Sequence, residues 1–198
     1  MIRILNIDTA LATAAIYLAE DGHVVAQAEN TQQKDHAAWV HVALEDVLKK
    51  GKCRWQDLQS IAITAGPGSY TGIRVGMATA KGLCFALGIP LITVNTLRVM
   101  AATVREQDHS TSWLCPLIDA RRQEVFTAIY NRKLVEQLPP KALIINAESF
   151  AEILHKQSVL FFGSGVPKWK KICSSPNAHF LEEKISARSL PILSFQCY

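Results

Sequence analysis

The chain has 198 residues, of which 49% are apolar and 19% charged, and its formal net charge is +4. This composition is typical of a folded soluble protein with one large or two small domains, and it excludes a disordered chain. The five cysteines form no CxxC pair, so we expect neither disulfides nor a zinc ribbon. The longest apolar stretch is too short for a membrane span, and the N-terminus lacks a cleavable signal. We therefore expect a cytoplasmic protein without membrane contact.

The first third of the chain predicts an antiparallel meander covered by a helix. A helix over residues 36–50, capped by Asp35 and ended by Gly51, has one apolar face. Asp21 and Gly22 are a tight-hairpin signal between the second and third strands. The three strand-like runs are 2–8, 13–19 and 23–29.

Strands and helices then alternate, which predicts that this part of the sheet is parallel. The polar stretch 105–112 is the most plausible boundary, so we predict an N-terminal domain over 1–105 and a smaller α/β domain over 106–198. The elements before the boundary are a strand at 60–64, a helix at 72–87, a strand at 90–94 and a helix at 96–104, and those after it begin with strands at 113–120 and 124–130.

A glycine-rich turn, GPGSYTG, joins the strand at 60–64 to the following helix. It is not a phosphate loop, because Gly72 is followed by Ile73 and Arg74 instead of lysine and a hydroxyl residue. It is not a dinucleotide fingerprint either, because Thr71 stands at the third glycine position. Backbone N–H groups at the helix start can still hold an anion.

Asp8 ends the first strand, where a carboxylate can hold a metal–phosphate group, although a role as a turn-forming Asx residue is an equal alternative. The following turn, TALAT, has no glycine to let phosphate approach the backbone. The candidate nucleotide or anion site consists of Asp8, Thr9, Gly66, Gly68 and Ser69.

The helix at 72–87 is apolar or small in nearly every direction, so it is either enclosed by its own chain or needs a partner. One row of small residues, Gly72, Gly76 and Ala80, would let another helix approach closely, and Ala78, Gly82 and Ala86 lie on another side. The helix at 36–50 also places apolar residues opposite its core face. We predict a protein-partner surface formed by Trp39, Val42, Asp46, Gly72, Arg74, Val75, Gly76, Thr79, Ala80 and Leu83.

No catalytic residue and no metal site is predicted. His36 and His41 are five residues apart, about 140° around a helix, so they cannot hold one metal ion together. Asp119, Arg121 and Arg122 end a later strand and either bind substrate or solvate a turn. The short basic segments, including KWKK at 168–171, favour a solvated surface over strong direct binding of nucleic acid.

Four segments, NIDTA, AITAGPGSYTGIRVGMATAKGL, GIPLITVNTL and LIDARRQEVFTAIY, resemble the TsaB (YeaZ) family, and the resemblance extends over about residues 1–195. It implies the actin-like ATPase (ASKHA, ribonuclease H-like) α/β fold with two related lobes. It also implies a non-catalytic subunit that pairs with a TsaD-like catalytic paralogue to form N6-threonylcarbamoyladenosine (t6A) beside the tRNA anticodon.

The same resemblance implies pairing through the two helices above, a homodimer when the chain is alone, and a TsaE-like ATPase as a further partner. tRNA would be contacted indirectly through the complex, and ATP or ADP could lie at the partner interface. The metal-binding histidines of the paralogue would fall on Thr96 and Met100, so no metal is expected here.

The chain stops after ISARSLPILSFQCY, where the family has a longer closing segment, so the second lobe is expected to be truncated. Two other functions remain open at this point. One is an ATP-binding phosphotransferase of the same fold. The other is a metalloprotease-like protein, which the absence of metal-binding histidines at Thr96 and Met100 disfavours.

Overall fold

The computed structural model describes residues 1–32, 36–110 and 112–198, and the side chains of His36 and Ala37 are outside this set. The predicted helix cap Asp35 also lies outside the described residues. The chain divides into unit 1, Met1–Val99 with Ser186–Tyr198, and unit 2, Met100–Ile185. The first boundary is close to the predicted one, but the C-terminal segment groups with unit 1 instead of the second domain.

Unit 1 contains a mixed sheet with the strand order β3-β2-β1-β4-β5. The first three strands are antiparallel, and β4 and β5 are parallel, as the sequence predicts. Strand β1 also pairs in parallel with β4. The turn between β2 and β3 has positive φ at both Asp21 (49°) and Gly22 (84°), which suits a tight hairpin. The strands are β1 (Arg3–Asp8), β2 (Ala14–Glu20), β3 (His23–Asn30), β4 (Ser60–Thr64) and β5 (Leu91–Val94).

Two helices, α1 (His36–Lys50) and α2 (Tyr70–Leu87), cover one face of this sheet. Val40, Leu44 and Val47 of α1 are fully or almost fully buried against strand residues such as Leu5 and Ile7. Alternation along the strand turns the next side chain of β1, Asn6, to the opposite face. There the last helix, α6 (Leu190–Cys197), packs on the sheet, and the Ser194 hydroxyl donates a hydrogen bond to Asn6 Oδ1 at 2.6 Å.

Unit 2 has a second sheet with the order β10-β9-β6-β7-β8. In each unit the strand that comes first in the sequence, β1 or β6, lies at the centre of the sheet. This shared strand order is what two related lobes would have. Helix α3 (Thr96–Gln107) leads from unit 1 into unit 2. The other elements are β6 (Trp113–Asp119), β7 (Glu124–Tyr130), β8 (Glu136–Ile144), α4 (Ala151–Leu154), β9 (Val159–Phe162), α5 (Val166–Lys170) and β10 (Ala178–Leu181).

An aromatic cluster forms the core of unit 2. The Phe150 ring contacts the rings of Phe161 and Trp169 edge-on, with both centroid distances at 5.3 Å. Phe180 also stacks on Phe161. No helix in the described part of the chain has the length and hydropathy to cross a membrane.

Candidate functional site

The glycine-rich turn packs directly against the turn that follows β1. The Ser69 amide donates to the carbonyl of Ala10 at 2.8 Å, and the Thr9 hydroxyl donates to the carbonyl of Gly72 at 2.7 Å. A Cβ added at Gly68 would overlap the Ala10 carbonyl oxygen, and one at Gly72 would overlap the Thr9 carbonyl oxygen. Both glycines therefore serve the close approach of two stretches of main chain.

The structure brings together the candidate nucleotide or anion residues but gives most of them protein contacts. Ser69 caps α2, since its hydroxyl accepts the Gly72 amide at 3.3 Å. The Gly66 carbonyl accepts the Thr96 amide at 2.9 Å. Asp8 and Thr9 are fully buried. Main chain of the β1–β2 turn thus lies against Gly68 and Gly72, so these residues do not fit a phosphate group between the two turns.

Asp8 is a buried carboxyl group with little hydrogen bonding. Its Oδ1 accepts the Thr64 hydroxyl at 2.5 Å and the Ala10 amide at 3.3 Å, while Oδ2 is buried without a hydrogen bond of normal geometry. Burial raises the pKa of Asp8 to about 6, although the Thr64 hydroxyl and the amides of Ala10 and Leu11 act in the opposite direction. A group this enclosed does not present a carboxylate to a solvated metal ion.

We expect Asp8→Asn to flatten the pH dependence of stability. The unfolded chain ionises Asp8 near its ordinary pKa of 3.8, whereas the folded chain keeps the proton until about pH 6. The folded state therefore binds more protons between these values, and wild-type stability falls as the pH rises through this window. The shift corresponds to a change on the order of 3 kcal/mol, which Asp8→Asn should remove.

Urea unfolding at a series of pH values between about 4 and 7 measures this effect. Asp57→Asn is the matched control, because hydrogen bonds from Arg54 lower the pKa of Asp57 to about 2 and its titration lies below the window. An Asp8→Asn protein with the same pH slope as wild type would contradict the assignment.

The outer faces of α1 and α2 leave large apolar side chains in solvent. Phe85 is 91% exposed, Tyr70 70% and Val42 63%. On α2, Ala78, Gly82 and Ala86 are also exposed. A groove of about 330 Å³ separates the two helices and is lined by His41, Leu44, Glu45, Trp55, Ala78, Thr79, Gly82 and Leu83.

One part of the predicted partner surface is corrected. Gly72, Gly76 and Ala80 are buried on the side of α2 that faces the sheet. A Cβ at Gly76 would overlap the Thr9 hydroxyl oxygen. This small-residue row therefore receives the turn after β1 and is not available to a helix of another protein.

The other predicted residues lie on or beside the outer face. Val42, Asp46 and Arg74 are exposed or partly exposed, and the Arg74 guanidinium stacks 3.5 Å from the centre of the Tyr70 ring. Trp39 packs against the core as a half-buried residue, so it is less exposed than its position on the helix predicts. Val75, Thr79 and Leu83 lie at the edge of the exposed face.

Sequence reasoning missed Phe85, the most exposed large apolar side chain of this face. Phe85 lies within one turn of Gly82 and seven residues after Ala78, so the second row of small residues was a usable signal. Of the two histidines that the sequence analysis excluded as a metal-binding pair, His41 borders the groove and the side chain of His36 is outside the described residues. Thr96 and Met100 are buried. Within residues 1–32, 36–110 and 112–198, no three His, Cys, Asp or Glu side chains are grouped as metal ligands.

Unit 2 carries a second polar cluster at the turn between β6 and β7. Asp119 Oδ1 accepts the Lys168 ammonium at 2.7 Å and the Arg121 amide at 2.6 Å. Burial acts to raise the pKa of Asp119, but Lys168 and the Arg121 amide outweigh it, so the pKa is lowered. The Asp119 carboxylate is therefore already bonded within its own chain, to Lys168 and the Arg121 amide.

Comparisons with known proteins show a consistent pattern. A profile of the family described as TsaD, tRNA N6-adenosine threonylcarbamoyltransferase, matches residues 23–188. The tRNA threonylcarbamoyladenosine biosynthesis protein TsaB of Bacillus subtilis is 36% identical over 163 residues, which cover 81% of this chain and 70% of that protein. The protein of the same name from Escherichia coli is 36% identical over 130 residues, covering 66% of this chain and 55% of that protein.

Solved structures show the same fold. A Pseudomonas aeruginosa protein described as similar to peptidase YEAZ has a TM-score of 0.81 at 22% identity and covers all of this chain and 91% of its own. A Clostridium difficile activator of 2-hydroxyisocaproyl-CoA dehydratase, solved with ADPNP, has a TM-score of 0.51 at 11% identity over 98% of this chain and 94% of its own.

Proposed function

Because the chain belongs to the TsaB (YeaZ) family and has the actin-like ATPase fold, we propose that it acts in the formation of t6A in tRNA as a non-catalytic subunit. In this proposal it binds and activates a TsaD-like paralogue in the cytoplasm. The observation that carries the proposal is the exposed apolar face of α1 and α2, which we call the outer helix face: Val42, Tyr70, Ala78, Gly82, Phe85 and Ala86.

The outer helix face has the composition of a protein interface. Exposed aromatic side chains such as Phe85 and Tyr70 are anchors that bury large areas on binding. Small residues beside them, Ala78 and Gly82, let a partner helix approach closely. Large apolar side chains exposed together on one side of a helix pair favour an interaction site.

The nature of the partner follows from the shared fold. The TsaD family profile matches most of this chain, so a TsaD-like protein would carry two helices in corresponding positions. Two related proteins can then pair face to face about a pseudo-twofold axis, and two copies of this chain can pair in the same way when the paralogue is absent. A TsaE-like ATPase and a nucleotide at the interface belong to the proposed assembly as further components.

The subunit itself supplies no catalytic group in this proposal. Asp8, the residue that a phosphotransferase would need, is fully buried, and the β1–β2 turn packs against Gly68 and Gly72. A phosphotransferase is therefore less consistent with these contacts than an accessory subunit.

Co-purification with the TsaD-like paralogue of the same organism tests the proposal. We expect a complex of one copy of each chain by mass measurement. We also expect threonylcarbamoyl transfer to tRNA by the paralogue to rise when the chain is added, while the chain alone is inactive. A paralogue that neither binds the chain nor responds to it, or transfer by the chain alone, would contradict the proposal.

A further inference from the structure

The turn between β6 and β7 places arginines where the backbone favours other residues. Arg121 and Arg122 have φ values of 68° and 44°, in the left-handed region. Glycine and asparagine adopt this region readily, whereas long side chains are disfavoured there. Positions that contradict local backbone preference are often functional. The two arginines are therefore not explained by the stability of the turn.

The surrounding contacts hold this turn in one conformation. The Arg121 amide donates to Asp119 Oδ1 at 2.6 Å, and the Asp119 amide donates to the Ser164 hydroxyl at 3.0 Å. The Glu124 amide donates to the Arg121 carbonyl at 3.1 Å. The backbone that carries both arginines is thus fixed before any ligand binds, which lowers the entropic cost of binding.

The Asp119 carboxylate lies within the electrostatic reach of Arg121, but its ion pair is with Lys168. Asp119 Oδ1 already accepts the Lys168 ammonium at 2.7 Å. Elsewhere in unit 2, Arg132 pairs with Asp108 and Lys170 pairs with Glu182. Both Arg121 and Arg122 are exposed, and in the described part of the chain neither guanidinium group forms an ion pair or a hydrogen bond.

Helix α5 lies beside the turn through the ion pair between Lys168 and Asp119. Lys168 belongs to α5, so its bond to Asp119 brings that helix beside the turn. Lys171 directly follows α5 and is exposed. Gln123 and Ser164 face solvent beside the turn and are polar, and the exposed Ile144, which pairs with Glu124 where β7 begins, is aliphatic rather than one of the aromatic anchors typical of protein interfaces.

We propose that Arg121 and Arg122 form a binding site for the phosphate backbone of RNA, with tRNA as the RNA concerned. Paired guanidinium forks match phosphate geometry, and their contacts do not depend on base sequence. The choice of tRNA rests on the proposed function. The site adds a direct RNA contact to a subunit for which the sequence predicts only an indirect one.

Titration of an unmodified tRNA transcript with the full chain, alone and together with its TsaD-like paralogue, tests the site. Arg121→Gln with Arg122→Gln should lower RNA affinity roughly tenfold or more. It should also reduce the slope of log affinity against log salt by about 1 for each phosphate group that the variant no longer binds. Lys133→Gln with Lys141→Gln is the matched control, since it removes two charges from the same unit and should leave the affinity nearly unchanged.

A second variant separates binding from folding. Arg121→Asn with Arg122→Gly suits the observed backbone, so it should resist urea at least as well as wild type while binding RNA as weakly as the glutamine variant. The inference is overturned if the glutamine variant keeps wild-type RNA affinity, or if the lysine control loses as much RNA affinity as the glutamine variant. It is also overturned if the glutamine variant is impaired only in assembly with the paralogue. Assembly of the wild-type chain with the paralogue is scored separately by mass. A wild-type chain that fails to assemble contradicts the proposed function, while the RNA titration of the chain alone decides this inference.

Discussion

Phe85→Asp is expected to weaken binding to the TsaD-like paralogue by roughly 30-fold or more while leaving the fold intact. Loss of an aromatic anchor commonly costs about 2 kcal/mol of binding free energy or more, and a charge at its place adds a desolvation cost. Phe85 is 91% exposed, so the substitution removes almost no packing within the chain. Surface substitutions of this kind change stability by about 0.5 kcal/mol or less.

Calorimetric titration of the paralogue with wild type and variant measures the change in affinity. Ile144→Asp is the matched control, because Ile144 is 69% exposed on β8, far along the chain from the outer helix face. The control should bind as tightly as wild type. If the Phe85 variant binds the paralogue as tightly as wild type, Phe85 is not an anchor and the proposed interface on α2 is contradicted.

Gly72→Ala and Gly82→Ala are expected to change stability in opposite directions, although both place one methyl group on α2. At Gly72 the new Cβ would overlap the Thr9 carbonyl oxygen, so the helix or the turn must move. Such overpacking against main chain should lower the free energy of unfolding by about 3 kcal/mol. At Gly82 nothing lies within 4 Å of the new Cβ, and alanine should raise the free energy of unfolding by about 0.5 to 1 kcal/mol.

Urea unfolding of both variants gives the two values. Destabilisation of similar size at both positions would mean that Gly82 is also packed within the chain, which would contradict the exposed face described above. The pair also serves the interface test, since a Gly82→Ala protein that is stable but binds the paralogue weakly would place that glycine in contact with the partner.

Much of unit 1 could be predicted because its signals are local. The hairpin at Asp21–Gly22 has the residues that its backbone needs, and short apolar runs lie on both sides of it. The helix over 36–50 was correct in both bounds because its apolar face repeats every three to four residues and Gly51 follows it. The parallel pairing of β4 with β5 followed from the alternation of strand and helix.

The orientation of α2 could not be predicted in the same way. Its sequence offers two rows of small residues, one through Gly76 and one through Gly82, and periodicity treats them alike. The choice between them depends on Thr9, whose hydroxyl bonds to the Gly72 carbonyl across 63 residues of sequence. A contact at that separation leaves no trace in a local pattern, so the inner row was assigned to the partner.

The C-terminal segment was assigned to the wrong neighbour for a similar reason. The residues SLPILSF are apolar enough for any core, and nothing in them specifies the sheet that they cover. In unit 1 they pack on the strands of the first sheet, where Ser194 bonds to Asn6, and neither of these two residues is distinctive by itself.

The bond between Ser194 and Asn6 also sets an order of events at the ribosome. The two residues are 188 positions apart, so at about 5 to 20 residues per second the second is added roughly 10 to 40 s after the first. During that interval α1 and α2 can already pack on one face of the sheet, while its other face is not yet covered by α6. The surface proposed for the partner can therefore form during translation, before α6 completes unit 1.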